Sequence, residues 1–208
     1  MKYYKLVLNA RSPKGFWGKM MIRSMNKGHY EVTGWGLDQT EIDDDFTILD
    51  VGCGGGKTVE RLSKMSPNGK VYGIDYSELA VKKSIKCNKK AIKQGRVQID
   101  LGSVSALPYK NETYDLVTAV ETYYFWPDKI NDLKEIKRVL KPNGKVLLVF
   151  EMCKDNSSPY KWREVEQLAN IKAVGEAEIR NALISAGFLN IKTYTKHNTT
   201  WLCAVGGK

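Results

Sequence analysis

Ile48-Leu49-Asp50-Val51-Gly52-Cys53-Gly54-Gly55-Gly56-Lys57-Thr58 is an apolar run that ends in an acid and passes through a glycine-dense turn into a helical pattern. That order reads as the first strand, turn and helix of a nucleotide-type α/β unit. The glycines clear side chains from a place where backbone meets ligand, and the helix N-terminus offers its unpaired N–H groups there. Three glycine-loop chemistries compete for the segment. The dinucleotide pattern G-x-G-x-x-G finds Gly52 and Gly54 but meets Lys57 where its third glycine belongs. The phosphate-loop pattern G-x-x-x-x-G-K-[ST] finds Gly56-Lys57-Thr58 but meets Val51 where it should open. An acid followed by G-x-G-x-G fits without a mismatch, on Asp50, Gly52, Gly54 and Gly56.

Outward from this loop, Lys70 to Asp75 reads as a second strand ending in an acid, followed by Tyr76 and Ser77. A carboxylate at that point can accept both ribose hydroxyls of an adenosine. The bland alternative for Asp75 is a helix N-cap, a role Ser77 fills equally well. Further strands are expected over Arg96 to Leu101, Tyr114 to Val120 and Gly144 to Glu151. Helices are expected over Lys57 to Met65, Ser77 to Gln94, Asp128 to Leu140 and Glu176 to Ala186. Strands alternating with helices at this spacing imply a doubly wound α/β fold with a parallel sheet covered on both faces. Leu189 to Thr195 and Thr199 to Val205 read as a closing hairpin. Ligands of such sheets sit outside the carboxyl ends of the strands, which puts Glu121 and the cluster Tyr123, Tyr124, Phe125 and Trp126 at the cleft.

From Phe46 to Val205 the chain resembles the class I S-adenosylmethionine-dependent methyltransferases, whose first motif has the form of Asp50-x-Gly52-x-Gly54-x-Gly56. The core is most similar to the methyltransferases of ubiquinone and menaquinone biosynthesis. The resemblance implies a Rossmann-like, seven-stranded sheet with an antiparallel last strand and an N-terminal helical cap. It implies S-adenosyl-L-methionine as cofactor, held by Asp50, Gly52, Cys53, Gly54 and Gly56, with Asp75 on the ribose and Tyr76 against the adenine. Gly102-Ser103-Val104-Ser105-Ala106-Leu107-Pro108-Tyr109 stands where the family usually has Gly-Asp-Ala-x-x-Leu-Pro-Phe. Ser103 replaces the acid that holds the adenine amino group, and a neutral hydroxyl makes a weaker bond than a carboxylate; Val104 supplies apolar contact.

The 208 residues are expected to form one domain, with residues 1–45 as an arm or cap, residues 46–208 as the cofactor-binding core and residues 152–174 as a cap insertion. Phe16, Trp17, Met20, Met21 and Met25 form a helical apolar stripe in the arm; it reads either as a helix packed on the sheet edge or as a lid. Tyr160, Trp162, Val165 and Leu168 either line an acceptor pocket or pack their helix down. Glu121 and His29 are the catalytic candidates, Glu121 doubling as an anchor for the cofactor's ammonium. Tyr30, Tyr123, Tyr124 and Trp126 are the candidates for an aromatic acceptor pocket.

A formal charge of +10 raises nucleic acid as a substrate, and Lys82, Lys83, Lys86, Lys89, Lys90 and Lys93 are the densest basic cluster. They share a helix whose buried side is expected at Val81, Ile85 and Ile92, so a solvated outer face is the simpler reading. After the fourth strand stands Glu121-Thr122-Tyr123-Tyr124, not the Asn/Asp-Pro-Pro-Tyr/Phe element of base-amino methyltransferases. The four cysteines and two histidines show no metal-ligand spacing, so no metal is expected. With no apolar segment of membrane-spanning length and no secretory core, a cytoplasmic protein is expected. The expected activity is transfer of a methyl group from S-adenosylmethionine to a small molecule. The rivals are an RNA methyltransferase, a phosphate-loop nucleotide hydrolase and a non-catalytic cofactor-binding module.

Overall fold

The computed structural model describes residues 13–154 and 162–208. Inside its sheet lies β1 (Thr47–Val51), in which Ile48 to Val51 are all buried. A strand with both faces covered reads as an unbroken apolar run, which is why Ile48-Leu49 carries no polar alternation. β1 pairs in parallel with β2 (Lys70–Asp75) on one side and β4 (Tyr114–Val120) on the other. β3 (Val97–Leu101) adds to β2, and β5 (Leu140–Phe150) to β4, again in parallel. The hairpin of β6 (Leu189–Thr195) and β7 (Leu202–Gly207) completes the order β3-β2-β1-β4-β5-β7-β6, with β7 antiparallel to both neighbours. The chain reverses its winding direction between β1 and β4, and this switch point opens the crevice that ligands use in such sheets.

Among the described residues two helices precede the sheet, α1 (Gly15–Gly28) and α2 (Tyr30–Leu37). The apolar stripe expected in α1 is displaced: its buried residues are Gly18 and Ile22, while Phe16 and Met20 are exposed. Gly18 packs so tightly that an added Cβ would lie 2.6 Å from the Pro13 carbonyl carbon, so a small residue holds the place that the larger side chains were expected to fill. α2 lies on the sheet through Val32 and Leu37, and an added Cβ at Gly36 would come within 2.4 Å of the Val149 side chain.

α3 (Lys57–Met65) starts at Gly56, whose φ of 80° is left-handed, a conformation that glycine adopts without strain. The expected long helix from Ser77 to Gln94 is two helices, α4 (Glu78–Cys87) and α5 (Lys89–Lys93). Ser77 caps the first by accepting the Ala80 N–H. The break falls at Asn88, which is buried and donates its side-chain amide to the carbonyls of Gly56 and Ser84 at 3.0 Å each. The buried side of α4 is therefore Ala80 and Ser84, small residues that admit the glycine loop, and Ile85 is 42% exposed instead of buried.

The remaining helices are α6 (Lys129–Val139), α7 (Arg163–Ala169) and α8 (Glu176–Ser185). Asp128 caps α6 by accepting the Asn131 N–H, and Leu133, Ile136 and Val139 form its buried stripe. β5 begins at Leu140, ahead of the expected Gly144, because the backbone stays in the sheet through a register shift with Asn143 at φ 66°. β7 starts three residues later than expected, since the Thr200 hydroxyl and carbonyl bond across to Glu151 and Cys153. Among the described residues no helix is long and apolar enough to cross a membrane.

Replacing Asn88 by alanine should remove two buried side-chain hydrogen bonds, to the Gly56 and Ser84 carbonyls, each of which keeps its helical backbone N–H donor. The expected loss is about 1–3 kcal/mol of unfolding free energy, read by urea denaturation. Wild-type stability in that variant would show that the amide bridge between α4 and the loop contributes nothing.

Candidate active site

The glycine loop is fixed from below by Asp75 at the end of β2. One carboxylate oxygen accepts the Gly54 N–H at 2.9 Å and the other accepts the Ser77 N–H at 2.8 Å. Burial raises the Asp75 pKa, and these two N–H donors oppose the rise. Added Cβ atoms at the other loop glycines would collide, at 2.2 Å with Thr122 Oγ1 from Gly52, at 2.3 Å with the Asn26 side chain from Gly55 and at 2.5 Å with Ser84 Oγ from Gly56. Gly54 is different, for its nearest neighbour would be the Gly52 carbonyl oxygen at 3.9 Å. Its φ of 51° points the backbone into open space. Gly54 is thus the place where a ligand can lie on bare backbone.

That space is an open cleft of about 850 Å³, partly continuous with solvent, at the carboxyl ends of β1, β2 and β4. Gly52, Cys53, Gly54 and Gly55 form one wall, with Asp75 and Tyr76 at one end and Glu121, Thr122 and Phe125 deeper. Asn26, His29, Tyr30 and Thr33 of the N-terminal helices form the opposite wall. The expected loop, ribose, adenine and methyl-side residues Gly52, Cys53, Gly54, Asp75, Tyr76 and Glu121 therefore share one surface with His29 and Tyr30. Tyr76 is 49% exposed, as a side chain offering its ring to a ligand would be.

Other candidates lie elsewhere. Asp50 is buried behind the loop, accepting the Thr118 hydroxyl at 2.7 Å on its partner strand. Gly56 faces α4, as described. Ser103 closes a tight turn by accepting the Ser105 N–H at 3.2 Å, and Val104 is buried in the core; neither side chain lines the cleft. Tyr123, Tyr124 and Trp126 do not line it either. They turn inward, Tyr123 and Tyr124 against Phe150, because the 3₁₀ turn Tyr123–Phe125 leaves only Phe125 on the open side. Trp162 and Val165 pack on the core away from the cleft, and Tyr160 is outside the described residues. None of the six clustered lysines lines the cleft.

Glu121 sits just past β4 with φ 56°, a left-handed conformation uncommon outside glycine and costly to hold. Its carboxylate accepts the Glu151 N–H, and burial pushes its pKa up to about 8. His29, at the joint between α1 and α2, is held neutral, its pKa lowered to about 4 by desolvation. Its Nε2 lies 3.8 Å from Glu151 Oε2.

Two residues escaped the sequence reading, Arg61 of the cleft wall and Glu151, which stands behind His29 and Glu121. Glu151 had the same signal as Asp75, an acid at a strand end. Arg61 stands one helical turn after Lys57 and so shares its face, a spacing legible in the chain. Its guanidinium lies over the Tyr30 ring, 4.0 Å from the centroid, and its Nη1 is buried with no hydrogen-bond partner among the described residues.

A Rossmann-like sheet with its reversed last strand, carrying a bare-glycine cradle and a carboxylate at the end of its second strand beside the switch point, is the frame of a class I methyltransferase. The chain belongs to the methyltransferase domain family, whose model matches residues 42–203, and it is an S-adenosylmethionine-dependent enzyme. It is 30% identical over 147 residues to the uncharacterised methyltransferase YdaC of Bacillus subtilis, covering 70% of this chain and 79% of that protein. It is 38% identical over 114 residues to a demethylmenaquinone methyltransferase of Bacillus mycoides, covering 53% of this chain and 45% of that protein. The chain thus spans about half the length of that relative. The fold is shared with a Haloferax volcanii methyltransferase solved in complex with the Trm112 activator, at a TM-score of 0.76 with 19% identity, covering 89% of this chain and 92% of that one.

Asp50 gives the site a pH signature. Burial raises its pKa from 3.8 to about 7. A group whose folded pKa is raised contributes stability that is complete below its unfolded pKa and is lost as pH climbs through the folded value. The ligand-free protein should therefore lose stability from pH 3.8 towards 7, and Glu121 acts in the same direction. Thermal melts of Asp50→Asn across that window should show a shallower decline than wild type; an equal slope would mean that Asp50 is ionised in the fold throughout.

Proposed function

We propose that this protein transfers the methyl group of S-adenosylmethionine to a small molecule bound between the glycine loop and the N-terminal helices. The observation that carries this reading is the cleft's second wall: Asn26, His29, Tyr30 and Thr33 of the chain's own α1 and α2 stand over the loop, which leaves room for a compact acceptor. The basic helix stands apart from the cleft, which argues against a nucleic acid tracking across it. Relatives named for methylating small molecules support the same choice, among them the demethylmenaquinone enzyme and a cycloartenol-C-24-methyltransferase of Oryza sativa at 31% identity over 137 residues.

The residues present fit the cofactor. Gly54 offers uncovered backbone, Asp75 retains lone pairs beyond the two N–H bonds that it already accepts, and Tyr76 lies beside it with an exposed ring. The bound cofactor supplies an electrophilic sulfonium methyl. The protein's own part is then alignment, exclusion of water by α1 and α2, and management of the acceptor's proton by the polar group of His29, Glu121 and Glu151.

Calorimetric titration with S-adenosylhomocysteine should give micromolar binding, while ATP–magnesium and NAD give none; the reverse pattern would end the methyltransferase reading. Asp75→Ala should weaken S-adenosylhomocysteine at least about tenfold, since a buried charge-assisted bond is worth about 1.5–3 kcal/mol. Because Asp75 also anchors Gly54, the 2′,3′-dideoxy analogue separates the roles. A direct ribose contact predicts that the substitution affects the parent more than the analogue. Equal losses would reduce Asp75 to a loop anchor.

A further inference from the structure

Three polar side chains far apart in sequence meet at the edge of the cleft, His29 and Glu121 lining it and Glu151 beside them. β4 and β5 are parallel neighbours, with Val120 opposite Val149, and the Glu121 N–H bonds the Val149 carbonyl at 3.0 Å. The residues just past both strands, Glu121 and Glu151, are thereby side by side. The left-handed backbone at Glu121 turns its carboxylate across to Glu151, whose N–H it accepts. From the opposite wall His29 reaches in at the α1–α2 joint, where its own backbone N–H is tied to Met25 at 2.9 Å. One ligating atom from each of the three residues can be chosen so that all lie within 4.8 Å of one another.

We propose that His29, Glu121 and Glu151 bind a divalent first-row transition cation, and that this cation holds an oxygen-bearing acceptor for methylation. Donors each about 2.0–2.2 Å from one ion lie no more than about 4.4 Å apart. The His29–Glu151 pair already meets this at 3.8 Å, and small side-chain rotations close the rest. An imidazole with two carboxylates suits manganese or zinc better than magnesium or calcium, which favour oxygen alone. Three protein ligands leave coordination positions open, the mark of a catalytic rather than a structural site. His29 and Glu121 line the cleft, so those positions can receive an acceptor hydroxyl. An oxygen held there is acidified, and its proton leaves to water.

This inference rests on the methyltransferase reading for the acceptor's role but not for the binding itself, which is measured without cofactor. The full chain, stripped with chelator and dialysed, is titrated with Mn²⁺ and followed by electron paramagnetic resonance of the free ion; Zn²⁺ and Mg²⁺ are compared by calorimetry. One Mn²⁺ per chain is expected, with Mg²⁺ at least about tenfold weaker. His29→Gln and Glu151→Gln should each weaken Mn²⁺ at least about tenfold, the scale on which metal sites respond to lost partners. A cooperative thermal melt like that of the wild type reports that each variant is folded, and either folded variant alone decides the matter. Absence of Mn²⁺ and Zn²⁺ binding below millimolar concentration would overturn the proposal, as would wild-type Mn²⁺ affinity in a folded variant. Failure to bind S-adenosylhomocysteine in the wild type, with Mn²⁺ bound and lost on substitution, would strike the methyltransferase reading and leave the metal site standing.

Discussion

The two hydrogen bonds received by Asp75 organise everything around them. A carboxylate at the end of β2 takes one N–H from the glycine loop after β1 and another from the start of the next helix. Three segments are thereby fixed to one side chain at the point where the sheet reverses. The loop's left-handed glycines need such a tether, because backbone with no side chains has little else to hold it. Asn88 adds a second tether from α4, and Thr122 closes on Gly52 from the far side. The cradle at Gly54 is what remains when every other loop position has been packed against something.

The charge distribution follows the same geometry. The chain carries a net +10, yet four adjacent strands, β2, β1, β4 and β5, each carry an acid at or beside the carboxyl end: Asp75, Asp50, Glu121 and Glu151. Burial raises the pKa of Asp75, Asp50 and Glu121. Gathering carboxylates in a half-enclosed crevice is unfavourable until a cation arrives, and a sulfonium-bearing cofactor is one. Among the described residues Lys57 and Arg61 are the basic ones that line the cleft, and the densest basic cluster, Lys82 to Lys93, lies elsewhere on the outer helices. Net charge describes this protein's surface and says little about its active site.

The sheet order and the cofactor class were legible because they depend on local signals: apolar runs, glycine spacing and acids at strand ends. Acids at strand ends single out Asp75 and Glu121, and His29 stands out as an imidazole that titrates near neutrality; the structure puts all three at the cleft. What the sequence hid was direction. Tyr123, Tyr124 and Trp126 occupy the right stretch, but a single 3₁₀ turn rotates three of the four aromatics inward. The arm's Phe16 and Met20 carry the apolar character, while its packing runs through Gly18 and Ile22. The lysine helix concealed its break because Asn88 is an ordinary helix residue until the Gly56 carbonyl claims its amide. The meeting of His29, Glu121 and Glu151 depends on long-range topology, which no local spacing encodes.

Gly55 joins the halves of this molecule. A side chain there would run into Asn26 and Ile22, so α1 rests within touching distance of the loop backbone. The wall proposed to select the acceptor and the loop proposed to hold the cofactor therefore share a seam. Drift toward a new acceptor is open at Tyr30 and Thr33, which face the cleft away from that seam. At positions 22 and 26 it is closed, because bulk added there would lift the loop itself, and a change of taste would become a loss of cofactor.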